Sequence, residues 1–563
     1  MNRRDFLGTT VSSPQQTDDF ANRTLPRGLE RSTAGLEPYS GVWGNDQMLH
    51  LLRRTTFGVR WSDLQTIRTK TLSEAVDLLL TVPPIPAPPV NNYSAAADPS
   101  GILPGATWVN APYDSTVNGS RTLSWKAWWV DLMISQQLSI REKMTIFWHN
   151  HFSTETVDVD NSRYIYNHNA LLRLHSLGNI KELTKQISTD PGMLRYLNGY
   201  VNTKTAPDEN YGRELQELFT VGKGPDSHYT EDDVKNAARA LTGWRIDSVN
   251  YVSYFDNTRH DTGNKVFSTF YNNTIITGRT GATAGALELD DLLNMIFAQN
   301  ETAKYLARKL YRFFVYYIID AGVETNVITP LAEIIRSNNY EIKPALTALF
   351  NSAHFFDPVN MGCVIKSPID LTVGLCREFN TKPVSTITPP AVLSDAQKYG
   401  IWEYIRSQAS SMQMNIGDPP NVAGWSAYYQ EPQYYEIWIN ADTLPKRNQF
   451  TDTMISTNGY TRSNTRLVID VIAYAKQFTD PSDPVALVNE IAQHLYAIPI
   501  SDSLKTSLMT SSLLSGQSSL HYWTDAWYAH TANPTDTAAL NTVTTRLKTL
   551  IKALMNAAEY QLA

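Results

Sequence analysis

Two stretches hold the residues best suited to chemistry. PDENYGRELQELFTVGKG, from Pro207 to Gly224, sets Glu209, Glu214 and Glu217 among apolar residues at helical spacing, and FWHNHF, from Phe147 to Phe152, adds His149 and His151. Carboxylates and imidazoles meeting in one core could hold a divalent ion or pass protons, two routes to hydrolysis. A third group, His260, Asp261 and Lys265, falls within six residues beside Gly263. That density of ionisable groups suits a loop reaching into a cleft, and equally an Asp-initiated turn with exposed charge.

Helical geometry constrains the first two stretches. At roughly 100° per residue, Ile140, Met144, Phe147, Trp148 and His151 share one arc, while His149 lies about 160° from His151. A straight helix therefore buries His151, exposes His149 and keeps the two off one metal unless it unwinds near Asn150. A lone buried histidine is more often a hydrogen-bonded core residue than a ligand. In the Glu-rich stretch, Tyr211, Leu215 and Leu218 form the buried stripe, with Glu214 about 40° from Leu218 at its border and Glu217 further round. A carboxylate at such a border needs a partner, because desolvating it unpaired is costly or raises its pKa. Arg213 points about 100° away, so the partner must come from another helix or a ligand, and replacing Glu214 by Ala is expected to cost stability. Glu-x-x-Glu is also a common solvated helix face.

The elements that must position these groups are mostly helical. Asn45, Thr71 with Glu74, Ser139 with Glu142, and Thr230 with Asp233 read as helix caps or capping boxes. Tandem Trp125, Trp128 and Trp129 fit core packing, and His168 and His175, seven apart, read as structural or exposed. Thr81 to Ser120 carries five prolines between Pro83 and Pro89 and reads as an irregular surface connection or lid. From Arg245 to Thr277 the period changes to two, which predicts a β-hairpin with a long tip carrying His260, Asp261 and Lys265. From about Ser463 the chain is Ala/Leu/Thr/Ser-rich helix. The fold class expected is mainly α: a large irregular helical domain with a small β-hairpin insertion and long loops. Its parts are a 1–40 extension, a 41–450 core (81–120 loop, 245–277 hairpin) and a 451–563 C-terminal helical region packed on it.

Composition narrows the function. With 48 Lys+Arg against 55 Asp+Glu and a net charge of −7, no global field favours nucleic acid or an anionic membrane. Two cysteines, Cys363 and Cys376, make no disulfide framework and read as free buried thiols. No run of 18 apolar residues suggests a transmembrane span. MNRRDFLG looks like the core of a twin-arginine export signal, but Thr9 to Thr24 is polar where an apolar stretch should follow. G-x-S-x-G, H-E-x-x-H, a P-loop and Cys-x-x-Cys-His are all absent from the sequence.

LLRRTTFG, REKMTIFWHNHF, DPGMLRYLNG, PDENYGRELQELFTVGKG, YTEDDVKNAARALTGW, RHDTGNKVF, TAKYLARKLYRFFV, KSPID, PPNVAGW and WINADTLPKRNQF, in that order, resemble the bacterial domain-of-unknown-function 1800 family. The resemblance implies a mostly helical protein, often exported and often encoded beside a sulfatase-like or alkaline-phosphatase-like protein, its expected partner. It carries the family motifs onto His149, His151, Glu209, Glu214, Glu217, His260, Asp261 and Lys265. Gly212 stands where Ala is usual, which should weaken the helix by up to about 1 kcal/mol.

Two functions are expected from these residues. One is a metal-assisted or acid–base hydrolase of the cell envelope, periplasmic or extracellular, with a cytoplasmic place as the alternative. There His149, His151 and Glu209 are candidate ligands of a divalent metal ion, Glu214 or Glu217 is the base, and His260 or Lys265 steadies an anionic intermediate, with Asp261 beside them. The other is a non-catalytic binding or assembly protein whose buried His, Glu and Asp form a structural network, its aromatic loops holding a saccharide or a protein surface.

Overall fold

The computed structural model describes residues 33–425 and 436–563. The Arg3–Arg4 pair and the polar stretch after it lie outside the described residues.

Capping chemistry sets many of the helix starts. Thr71 Oγ1 accepts from the Glu74 amide at 3.3 Å while Glu74 Oε2 accepts from the Thr71 amide at 2.8 Å. Thr230 and Asp233 repeat the arrangement at 3.3 and 2.7 Å. Each pair satisfies amides that a helix start leaves orphaned. Two expected starts differ. Gly44, not Asn45, caps Asn45–Thr55, and Arg141–His151 begins after Ile140 with no side-chain cap. The reason for the second is that Glu142 turns inward. Its carboxylate accepts from Arg173 Nε at 2.9 Å, Arg173 Nη2 at 3.0 Å and Trp129 Nε1 at 3.1 Å, a stronger arrangement for a buried carboxylate than an exposed helix end offers.

Apolar side chains gather in two clusters. One draws on residues 48–356, with Leu51, Phe147, Leu215, Leu306 and Leu346 among its members. The other joins the tryptophan-rich helix Asn118–Ser135 to Asp395–Ser411 and the C-terminal helices through Trp129, Ile401, Trp523 and Leu550. Arg141–His151 serves both, giving Met144, Phe147 and Trp148 to the first and Ile146 to the second. With a cluster on either side it keeps no solvent face. The expected exposure of His149 is therefore corrected: His149 and His151 are each 2% exposed.

The chain is mainly α, with small antiparallel sheets. No helix forms between residues 81 and 117. That connection is anchored rather than free, through a buried Arg121–Asp98 pair at 2.7 Å and the buried Trp108. The expected single hairpin is two. Trp244–Asp247 pairs with Val252–Phe255, and Lys265–Val266 pairs with Ile275–Ile276. Asp247 explains the difference: its Oδ1 accepts from the Val249 and Asn250 amides at 2.8 and 3.0 Å, closing a turn before a long tip can form. His260 and Asp261 consequently lie in the connection between the hairpins, not at a tip. Cys376 is buried and Cys363 half-buried, both as thiols rather than in a disulfide. Among the described residues no helix is long and apolar enough to cross a membrane.

Candidate active site at a widened helical turn

Asp208 opens the Glu-rich helix, accepting from the Asn210 amide at 2.9 Å. Regular α geometry lasts only over Glu209–Glu214, and Leu215–Thr220 is a π-helical turn. The Val221 amide there reaches back five residues to the Gln216 carbonyl at 2.9 Å. Two side chains hold the turn in this shape. Thr220 Oγ1 donates to the Leu215 carbonyl at 2.5 Å. Gln216, fully buried, donates Nε2 to the Gly212 carbonyl at 3.0 Å and accepts the Tyr271 hydroxyl at 2.7 Å. Single π turns inside helices often mark functional sites. Gly212 has its own purpose: a Cβ there would stand 3.0 Å from Ala238 N and 3.1 Å from the Val234 carbonyl oxygen. The glycine lets Glu231–Ala240 lie directly against this helix.

Glu214 closes the α portion. It is half-buried, and its Oε2 is buried with no hydrogen-bond partner among the described residues. Burial first, then the charge of Glu217, pushes its carboxyl up to about 7 against the pull of Lys223 and Arg213. Glu217 is ion-paired with Lys223. Arg213 faces away, as its helical position predicts, meeting Glu231 at 2.7 Å and Glu209 at 3.2 Å. Tyr196, whose hydroxyl donates to Glu155 Oε1 at 3.0 Å, has its phenol pushed up by burial and by Glu155, with Glu214 contributing.

The far end of the turn is tied by its carbonyls. His151 Nε2 donates to the Phe219 carbonyl at 3.0 Å, and the Tyr305 hydroxyl donates to the Leu218 carbonyl at 2.7 Å. A carbonyl only accepts, so Nε2 carries the His151 proton. Burial, aided by the charge of Lys309, holds that imidazole well below its usual pKa. Gly222, at φ +80°, leaves the space that the Tyr305 ring occupies. His168 fixes the chain just past His151, bridging Asp190 at 2.9 Å and the Phe152 carbonyl at 3.1 Å.

The candidate metal ligands are not brought together. His149 lies between Trp129 and Trp425, with ring centroids at 5.4 and 5.9 Å, and neither of its ring nitrogens has a hydrogen-bond partner among the described residues. His151 sits at the π turn, and Glu209 is engaged with Arg213. Among the described residues no three His, Cys, Asp or Glu side chains gather as a metal site. What the arrangement can do is transfer a proton through Glu214.

A family model described as Protein of unknown function (DUF1800) matches residues 50–562. The chain belongs to this family. The family span takes in the π turn, both histidines and the C-terminal helices. No curated protein and no solved structure matches the chain.

His260 and Lys265 meet Glu288 in a separate buried network, in which the His260 Nε2 contact has ion-pair distance without hydrogen-bond geometry. Lys265 Nζ lies 2.6 Å from Glu288 Oε2, and His260 Nε2 lies 3.0 Å from Glu288 Oε1, with all three side chains 0–1% exposed. The Arg279 amide also donates to Glu288 Oε1 at 2.7 Å, and His260 Nδ1 meets the Thr242 carbonyl at 2.9 Å. Asp261 holds Arg239 in a two-pronged pair at 2.8 and 3.1 Å. Glu288, the hub, escaped the sequence reading. Its signal was a carboxylate three and four residues from Gly285 and Leu292, inside an apolar stripe. Lys309, four residues after Tyr305 on the helix Asn300–Phe314, escaped likewise.

Proposed function

We propose that this family member is an acid–base enzyme of the hydrolytic class, with Glu214 as the group that carries the proton. The buried, unpartnered Oε2 supports this reading above all, because a carboxyl poised at about 7 is populated in both forms near neutrality. A substrate hydroxyl or water at Oε2 would supply the missing partner. As base, Glu214 takes the proton of the attacking water. As acid, it returns that proton to the leaving group, so the cycle balances. Glu217, held by Lys223, keeps Glu214 in this range. The setting proposed is the cell envelope, on the strength of the Arg3–Arg4 pair.

The test pairs activity with titration. The purified chain and Glu214→Gln are assayed against chromogenic carboxylic, phosphate and sulfate esters, and the Glu214 carboxyl is followed by ¹³C NMR. Turnover of one class with a pH limb near 7 that Glu214→Gln removes, fold intact, is the expected result. A carboxyl titrating at its ordinary value of 4.5 would defeat the reading.

The alternative, a binding or assembly protein, draws on the buried His260–Lys265–Glu288 network, which has the character of a packing device. Under it no ester is turned over and Glu214→Gln changes stability alone.

A further inference from the structure

The helix Asn300–Phe314 carries one cation beside the π turn that nothing in the described fold balances. Lys309 is half-buried, and among the described residues it makes no hydrogen bond and no ion pair. Its ammonium lies 5.5 Å from the centroid of the Tyr305 ring, and Tyr305 is the residue whose hydroxyl reaches into the turn at Leu218. The ionisable groups near it are Arg312 on the same helix, a like charge, and His151 on the facing helix, held neutral. The preceding residue shows the contrast. Arg308 takes Glu301 and Glu324 at 2.5 and 2.7 Å. Arg308 thus meets carboxylates, whereas Lys309 meets none among the described residues. Desolvation, with Arg312 adding to it, pushes the Lys309 amine down to about 7.

We propose that Lys309 anchors the anionic part of the substrate, an oxyanion of the carboxylate, sulfate or phosphate kind, beside the π turn. The fold has already stripped much of the water from this amine without giving it a counter-charge, so an arriving oxyanion recovers a charge-assisted hydrogen bond at little further desolvation. The Tyr305 ring lies on one side of the ammonium, its centroid 5.5 Å from it. The inference rests on the acid–base reading only in calling the ligand a substrate.

The experiment is thermal unfolding of the full chain in inorganic phosphate or sulfate, at fixed ionic strength, with chloride as reference. A saturable rise of the melting temperature in phosphate or sulfate is expected in the unaltered protein and in Lys309→Arg. Lys309→Met should weaken the apparent affinity about tenfold or more, the usual effect of removing a hydrogen bond to a charged group. A footprint in the unaltered protein covers the case of a variant that fails to fold: phosphate, unlike chloride, should slow acylation of the Lys309 amine as read by peptide mass spectrometry. Indistinguishable titrations of the unaltered protein and Lys309→Met, or a footprint unmoved by phosphate, overturn the proposal. Glu214→Gln should keep the anion effect in full. A protein that keeps it yet hydrolyses no ester separates the failure of the acid–base reading from that of the anion anchor.

Discussion

His151 Nε2 donates to the Phe219 carbonyl at 3.0 Å, tying the last residue of one helix to the widened turn of another. The turn ends at Thr220, so the Phe219 carbonyl is one of the orphans that any helix end leaves. Buried without His151, it would have no replacement donor. Replacing His151 by Phe preserves bulk but removes that donor, and should cost about 1–3 kcal/mol in a denaturant titration. The same residue in the unaltered protein should show no imidazole titration between pH 5 and 8 by NMR, since burial holds its pKa well below the usual 6.5.

Gly212→Ala should destabilise the chain, although alanine is the better helix former by about 1 kcal/mol. The added methyl would meet backbone, Ala238 N at 3.0 Å and the Val234 carbonyl oxygen at 3.1 Å, and backbone cannot step aside as a flexible side chain can. A net loss of about 1–2 kcal/mol is expected from overpacking less the propensity gain. Equal or greater stability on urea unfolding would show that the helices have room to part.

Glu288→Gln should cost about 3–5 kcal/mol, because it leaves the buried Lys265 ammonium only the more distant Asp261 carboxylate at 3.9 Å. The double replacement Lys265→Met with Glu288→Leu removes both charges and should recover most of that loss. Melting temperatures of the three proteins decide between a packing network and a catalytic one. Loss of activity in Glu288→Gln at unchanged melting temperature would return His260 and Lys265 to the chemistry.

What the sequence made legible was local. The capping boxes at Thr71 and Thr230, the Tyr211–Leu215–Leu218 stripe and the divergence of His149 from His151 all follow from periodicity and side-chain hydrogen-bonding rules. What it hid was set by partners distant in the chain. Burial of His149 depends on the second apolar cluster, which is built largely from residues after 368, and so is invisible in the Arg141–His151 segment. The π turn is held by Tyr271 acting on Gln216 across 55 residues, a contact that no helical wheel contains. Glu142 would have capped its helix had Arg173, 31 residues away, not claimed it. Gly212 read as a weak point because propensity is an intrahelical quantity, whereas its purpose is the approach of a second helix.

Glu214→Gln should stabilise the protein, and only above a defined pH. Sequence position suggested that the carboxylate has a partner whose loss would be felt, but Oε2 has none among the described residues. Its carboxyl sits at about 7 in the fold against 4.5 unperturbed. Between those values the folded protein retains a proton that the unfolded chain has released, so stability falls as pH rises through the window and the loss is complete above pH 7. The half-exposed position screens the effect, leaving a penalty on the order of 2 kcal/mol. Glutamine cannot ionise and escapes it. Unfolding free energies of the two proteins should therefore agree near pH 4.5 and diverge toward pH 8, with the variant the more stable. A difference that stays flat across this range would mean that the carboxyl ionises as easily in the fold as in the unfolded chain, and Glu214 would lose its claim to the proton.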